Sequence, residues 1–560
     1  MSSEGLIPIP HSSFLFPLTG GTMKFDRWRI TAFLIFCVSF ASAQSTVRIG
    51  WAGSPDSLVP GKGILAEAYT IYELVYDTLF DLQFDGSFEP ELAESWEVSE
   101  DGLTWTFKIR QGVTWHDGEA LTASDLAFTY NLYKNDENFA YLNSNTTYFE
   151  SITAVDDQTL ELKLSELIPN VEAQTVAMYV LPEHIFQDAP TEFENTDMIG
   201  SGPFKMTEYR QGEFVRLAKN ADYWAEAPRV DEVIFQTFGS QDVLVQALRT
   251  GQVDMVTEMP ATALVGLRGD ANIEVVTGPP LSPYSADIIM NQMTSERCPT
   301  DDGGVCTGHP ALLDKNVRQA LAHATDKQQL VEVLLLGLGT PGITLAADSF
   351  TPWFNPNLTD YAFDLEAANT LLDGAGYVDT DGDGIREMPD GNRPLNFRLN
   401  WPSDSINAPR MAEMLGEMWR DIGIGVQPQA LDADALTAIC CPAFDYDIML
   451  WGWYFDTDPS YMLSVMTTQE IATGINETGY SSPAFDDLFN QQATTLDPEE
   501  RKELVWQMQE LVLNDVVYII PYYEQAVQAF RKDRFTGWVT DQGKIALEDP
   551  SSLTVIEPVQ

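Results

Sequence analysis

Glu94-Ser95-Trp96-Glu97-Val98-Ser99-Glu100-Asp101-Gly102-Leu103-Thr104-Trp105-Thr106-Phe107-Lys108-Ile109 alternates apolar with polar side chains on either side of a central Asp101-Gly102. Successive side chains of a strand point to opposite faces, so Trp96 and Val98 share one face, as do Leu103, Trp105, Phe107 and Ile109. Asp-Gly between two such runs is a turn signal, and the stretch reads as a β-hairpin. A further alternating run, Leu160, Leu162 and Leu164, follows the turn residues Asp156-Asp157. Residues 80–195 are therefore expected to be rich in antiparallel strand.

Further along, the period changes. Asp364 precedes Leu365, Ala368, Leu371 and Leu372 at helical spacing, and Gly374 with Gly376 supplies the stop. Asp497-Pro498-Glu499-Glu500 offers a cap, a first-turn proline and two acids that suit the positive end of the helix dipole. Leu504, Met508, Leu511 and Val512 form its expected buried stripe. Short strands at Asn396 to Asn400, Asp447 to Leu450 and Val516 to Ile520 separate such helices, so the C-terminal half reads as α/β. No internal repeat and no Pro-, Gly- or Ser-rich linker divides the chain into independent modules.

The 560 residues, 44% apolar and 21% charged, suffice for several cores and exclude a disordered or collagen-like chain. Eighty-four acidic against 31 basic side chains give a formal net charge of −53, which excludes nucleic acid as a partner and reads as a solvated acidic surface. At the N-terminus, Lys24, Arg27 and Arg29 precede the apolar run Ile30 to Phe40, and Ala41-Ser42-Ala43 follows. This is the pattern of a secretory signal peptide over residues 1–43, with Met23 as the expected start. The apolar run is too short to span a bilayer, and Phe36 before Cys37 does not fit a lipoprotein box. The expectation is an exported, soluble protein without a lipid anchor. Disulfides are permitted there, and Cys298 with Cys306, around the turn-rich residues 299–304, reads as a local staple. The adjacent Cys440 and Cys441 form either a vicinal bond or two free thiols.

Signatures of nucleophilic, metalloprotease and P-loop chemistry are absent. Gly337-Leu338-Gly339-Thr340-Pro341-Gly342 matches a dinucleotide fingerprint in letters, but it follows the helical pattern Asn316 to Leu335 rather than a strand, so it ends a helix. Asp379-Thr380-Asp381-Gly382-Asp383-Gly384 places carboxylates at the first, third and fifth positions of a loop and glycine at the sixth. Ile385 would add a carbonyl, Glu387 the ninth position and Asp390 the twelfth, where calcium loops normally carry Glu. A structural calcium site and an Asx-rich turn are the two readings. No other cofactor is implied. Trp451-Gly452-Trp453-Tyr454-Phe455-Asp456-Thr457-Asp458-Pro459 follows the apolar strand Ile448 to Leu450. Aromatics and carboxylates at a strand end suit a pocket for a ligand with apolar groups and a cationic or hydroxyl-bearing end. The alternative is core aromatics followed by a helix cap at Asp456 or Asp458.

The order of several strings resembles the family 5 extracellular solute-binding proteins of bacterial ABC importers, the oligopeptide- and dipeptide-binding group. They are Glu89-Pro90-Glu91-Leu92-Ala93-Glu94-Ser95-Trp96, Asp101-Gly102-Leu103-Thr104-Trp105-Thr106-Phe107, Trp115-His116-Asp117-Gly118-Glu119, Gly200-Ser201-Gly202-Pro203-Phe204, Asn316-Val317-Arg318-Gln319-Ala320-Leu321 and Tyr480-Ser481-Ser482-Pro483. The resemblance implies an α/β two-lobe periplasmic binding protein (type 2, class II) with a hinge. Lobe I would comprise residues 44–79, 196–285 and 530–560, with an additional domain over 80–195, and lobe II residues 286–529. The chain would cross near Tyr284 to Asn291 and return near Gln525 to Phe530. The resemblance further implies a monomeric, non-enzymatic receptor that captures peptides between its lobes and delivers them to a permease. Trp451, Gly452, Trp453 and Tyr454 would line the site, with Asp456 or Asp458 pairing with the ligand's ammonium. No basic pair precedes this strand to meet a peptide carboxylate, since Ala438-Ile439-Cys440-Cys441 stands there. An oligosaccharide receptor of the same fold is the alternative, and a secreted hydrolase using Asp456 and Asp458 as acid and base is the remote one.

Overall fold

The computed structural model describes residues 45–560 apart from 268, 281–283, 455–456, 542 and 560. The expected signal peptide, with Met23, lies outside the described residues. Among the described residues, no helix is long and apolar enough to cross a membrane.

The quoted hairpin forms from strands Ala93–Val98 and Thr104–Ile109, with Trp96 opposite Phe107 and Val98 opposite Trp105. Gly102 turns the chain at φ 73°, where a side chain would be strained, and its N–H donates to the Ser99 carbonyl. Thr159–Leu164 and Phe149–Asp156 complete a four-stranded antiparallel sheet. Trp105, Phe107, Leu160 and Leu162 are buried, whereas Val98, on the edge strand, is 39% exposed. The inner strands face the core and the edge strand only partly does, a distinction that alternation alone does not draw.

Two seven-stranded sheets carry the rest. The first runs, in spatial order, Ile273–Gly278, Ala526–Arg531, Met255–Val256, Thr46–Trp51, Glu232–Thr237, Phe214–Lys219 and Phe204–Arg210. The second runs Gly339–Thr340, Tyr523–Glu524, Tyr284–Met290, Ile448–Tyr454, Asn396–Pro402 and Gly425–Leu431, with Tyr518–Ile519 also paired to Tyr284–Met290. The chain thus crosses between Gly278 and Tyr284 and returns at Gln525. This corrects the expected lobe limits: residues 284–285 belong to the second sheet and residues 526–529 to the first. A strand that changed sheets midway would leave ladder bonds unmade, so each strand stays whole in one sheet. The 80–195 segment shares one continuous core with the first sheet, through residues such as Phe80, Phe107, Leu74 and Phe204.

Period-two alternation places helices on both faces of the second sheet. Ile288, Met290, Ile448 and Leu450 pack with Leu321, Leu372, Leu415 and Trp419, while Ile289 and Met449 pack with Leu436, Phe485, Met508 and Val512 on the other face. The caps act as expected. Asp364 accepts from the N–H groups of Glu366 and Ala367 at the head of Leu365–Gly374, and Asp497 from those of Glu499 and Glu500 at the head of Pro498–Asp515. The latter helix departs from its expected stripe: Arg501, Val505, Met508, Gln509 and Val512 are the buried residues, with Leu504 and Leu511 half-buried. The pattern from Asn316 to Leu335 resolves into two helices, Lys315–His323 and Lys327–Leu334, because Asp326 caps a new start. Gly200-Ser201-Gly202 passes over the end of helix Ala66–Val75, where a Cβ on Gly200 would stand 1.8 Å from the Val75 carbonyl oxygen. The Gly202 N–H donates to that same oxygen at 2.9 Å. Cys298 is joined to Cys306, and Cys440 to Cys441.

Candidate functional site

Strand Ile448–Tyr454 is bonded along its whole length on one side and along only part of it on the other. Tyr284–Met290 pairs with every residue from Tyr454 back to Ile448. On the opposite side Asn396–Pro402 pairs only at Leu399 with Ile448 and Asn400 with Met449, then diverges. Past Met449 the strand therefore presents one backbone edge with no ladder partner among the described residues, a template for an added extended chain.

The side chains on this strand are held from both faces. Tyr284 lies across Gly452, donates from Oη to the Trp451 carbonyl at 3.2 Å and packs its ring 5.0 Å from that of Tyr454. A Cβ at position 452 would fall 2.0 Å from the Tyr284 hydroxyl, so glycine is required here by contact rather than by backbone angle. Trp451 and Trp453 turn to the second lobe's core. Trp453 Nε1 donates to Glu477 Oε1 at 2.7 Å, and Tyr518 Oη donates to the same oxygen at 3.2 Å. Burial pushes the Glu477 carboxyl up to about 7, against the pull of these two donors. Asp287, opposite Trp451 in the ladder, is 0% exposed, and burial followed by the nearby Glu477 charge raises it well above the ordinary carboxylate range. Tyr454 stands 68% exposed at the strand's end.

Asp458 is 7% exposed and its oxygens lie 2.6 and 2.8 Å from the two terminal nitrogens of Arg501. The same carboxylate accepts the Ser460 N–H at 2.9 Å, and Arg501 also reaches Ser460 Oγ and Gln492 and sits over the Trp353 ring. Burial raises the Asp458 carboxyl, but the Arg501 charge and hydrogen bonds outweigh it and hold the group below the ordinary range. A carboxylate so occupied is the anchor of helix Ser460–Ser464, which corrects its expected role as a free partner for a ligand's ammonium. Asp456 lies outside the described residues.

Thr457 borders a cavity of about 620 Å³, with Phe350 beside it from the second lobe and all remaining walls from the first lobe and the inserted domain. Tyr69, Tyr179 and Tyr223 contribute aromatic surface, and Glu73, Asp77, Glu91 and Asp549 contribute carboxylates.

Away from this cleft, one carboxylate oxygen from each of Asp379, Asp381, Asp383 and Glu387 lies within 4.8 Å of the others. The expected ligand at Asp390 does not join them. Glu387 bridges to Val378 and Pro394, the chain reverses with Gly391 N–H donating to Met388, and Asp390 instead accepts the Asn392 N–H at 3.1 Å. Ile385 donates its N–H to Asp383 Oδ1 within the same loop.

Two lobes, each built on its own seven-stranded sheet, and a ligand-sized cavity lined by residues of both define a binding-protein architecture. The family model for the middle region of bacterial extracellular solute-binding proteins, family 5, matches residues 87–473. The chain belongs to this family. The family 5 chain is 28% identical over 444 residues to the oligopeptide-binding protein AppA of Bacillus subtilis, covering 77% of each. It is 25% identical over 531 residues to the dipeptide-binding protein of Escherichia coli, covering 89% of this chain and 93% of that one. Among solved structures, the ABC transporter substrate-binding protein CtaP of Listeria monocytogenes superposes with a TM-score of 0.77 at 25% identity, over 92% of this chain and all of that one.

Two features of this family 5 site escape a reading of the sequence. Arg501 left a signal: it occupies the first position of the 501, 505, 508, 512 stripe that is otherwise mostly apolar, and a charge there implies a buried partner. The cavity left none, because its walls come from separate segments scattered between residues 69 and 555.

Proposed function

We propose that this protein is the substrate-binding component of an ABC importer, a monomeric periplasmic receptor that captures peptides between its lobes and passes them to a membrane permease. The observation that carries this is the backbone edge beyond Met449, which has no ladder partner on that side among the described residues, together with a cavity lined from both lobes. An extended peptide adds its backbone to such an edge, and a carboxylate at Asp456 would meet its terminal ammonium in a cleft dried by closure. The peptide-binding names of the AppA and E. coli relatives support the same ligand class. Trp453 favours peptide over oligosaccharide, because its indole is turned into the core and bonded to Glu477 rather than offered as a stacking face. The reading as a receptor rather than a hydrolase working through Asp456 and Asp458 is supported by Asp458, which Arg501 holds ionised and which lacks the raised carboxyl that a general acid needs.

Calorimetric titration with alanine peptides of two to five residues tests this reading. Binding is expected with free N-termini, and a loss of at least about 30-fold with N-acetylated forms, the scale of a desolvated charge pair. Silence with peptides and heat with oligosaccharides would overturn it. No cofactor is needed for capture. The acidic loop at 379–387 is proposed as a structural calcium site. Adding calcium to chelator-treated protein is expected to raise the melting temperature by a few degrees, and an unchanged melt identifies the loop as an Asx-rich turn.

A further inference from the structure

We propose that the 620 Å³ cavity selects peptides bearing a lysine or arginine side chain, whose cation enters among the cavity carboxylates while Lys544 receives a carboxylate of the same ligand. This rests on the peptide reading above and adds to it a charge preference.

The cavity carries an excess of acids that the chain itself does not neutralise. Glu73, Asp77, Asp81, Glu91 and Asp549 all line it, and none has a cationic partner within ion-pair distance among the described residues. Asp77 accepts from Tyr223 Oη and Trp224 Nε1, Asp81 from Gln83, Glu91 from Thr78, and Asp549 from the Ser551 N–H. These donors are neutral. Among the described residues, the Glu73 carboxylate accepts a hydrogen bond only from Tyr179 Oη, at a long 3.5 Å. Burial, then the charges of Asp549 and Glu548, push the Glu73 carboxyl up to about 8. A group in that state gains most from an incoming cation, which replaces its proton. Tyr69, Tyr179 and Tyr223 line the same space, so the stem of a lysine or arginine side chain would meet aromatic surface there.

Lys544 is the independent observation that a ligand belongs here. It borders the cavity, is only 9% exposed, and makes no hydrogen bond or ion pair among the described residues; the charge of the exposed Asp85 reaches it without contact. With its stem buried and its tip unpaired at the cavity wall, this ammonium is placed to take a charge-assisted bond from an anion that enters. Carboxylates without cations and an ammonium without an anion, in one cavity, fit a ligand that carries both charges. Lys544 also answers the missing basic pair upstream of the binding strand.

The test uses calorimetry on the mature protein with alanine-based tri- to pentapeptides carrying one lysine, norleucine or glutamate. Lysine peptides are expected to bind at least tenfold tighter than norleucine peptides, with glutamate peptides weakest. Binding of the lysine peptide is expected to release protons, read as a heat that changes with the ionisation enthalpy of the buffer. Glu73→Gln, of the same shape, is expected to lower the lysine-to-norleucine ratio at least fivefold. Lys544→Met is expected to weaken peptide acids but to spare the ratio of lysine to norleucine among peptide amides. Equal affinity for lysine and norleucine peptides would overturn the inference while leaving peptide capture standing. Failure of every peptide to bind would instead remove the underlying reading.

Discussion

Arg501→Met is expected to lower the unfolding free energy by about 3–5 kcal/mol, the usual cost of removing one partner from a buried ion pair. The expectation follows from what is left behind. Asp458 is 7% exposed, and without Arg501 its charge keeps only Ser460 as a partner among the described residues. The double variant Arg501→Met, Asp458→Leu removes both charges and is expected to recover most of the loss. The pH dependence has a defined sign. Asp458 titrates below the ordinary carboxylate value in the folded protein, so its stabilisation is present above that value and is lost as the pH falls through the depressed one. Wild type and Arg501→Met should therefore converge in acid. Urea denaturation at neutral and acidic pH reads both effects, and a difference under about 1 kcal/mol at neutral pH would show that the pair is not what anchors helix Ser460–Ser464.

Asp456→Asn is expected to weaken peptides with a free N-terminus by about 30-fold or more, with little change in stability, whereas Asp458→Asn is expected to destabilise the fold. The two substitutions lie two residues apart and separate the roles that the sequence leaves in competition. The shape of Asp is nearly kept in Asn, so the loss at residue 456 reads the charge. An N-acetylated peptide should bind both Asp456→Asn and wild type about equally. Equal affinity of wild type and Asp456→Asn for the free peptide would move the ammonium site elsewhere in the cleft.

The legible parts of this molecule are those in which one short stretch carries its own physics. Asp364 and Asp497 announce their helices because a cap needs only the next three residues, and residues 94–109 announce a hairpin because alternation and an Asp-Gly turn coincide. The ordered strings from Glu89 to Pro483 were enough to place the chain in its family. Contacts between distant segments were not legible. Asp458 reads equally well as cap or anchor until Arg501, 43 residues on, is seen beside it. Nothing in the sequence tells why position 452 is glycine until Tyr284, from the neighbouring strand, is found lying on it. Asp390 fits a spacing rule, and only the reversal at Met388 to Gly391 shows that it faces away from the acidic loop.

The central claim is that a peptide occupies the cleft beside the open edge of strand Ile448–Tyr454. The most direct measurement presents the unliganded protein with a casein digest and an equal mass of mixed oligosaccharides, then identifies what is retained by native mass spectrometry and sequencing of the released ligand. The account predicts retained masses that resolve into amino-acid residues with free N-termini. Retention of a hexose or pentose ladder, with no peptide bound, would contradict it.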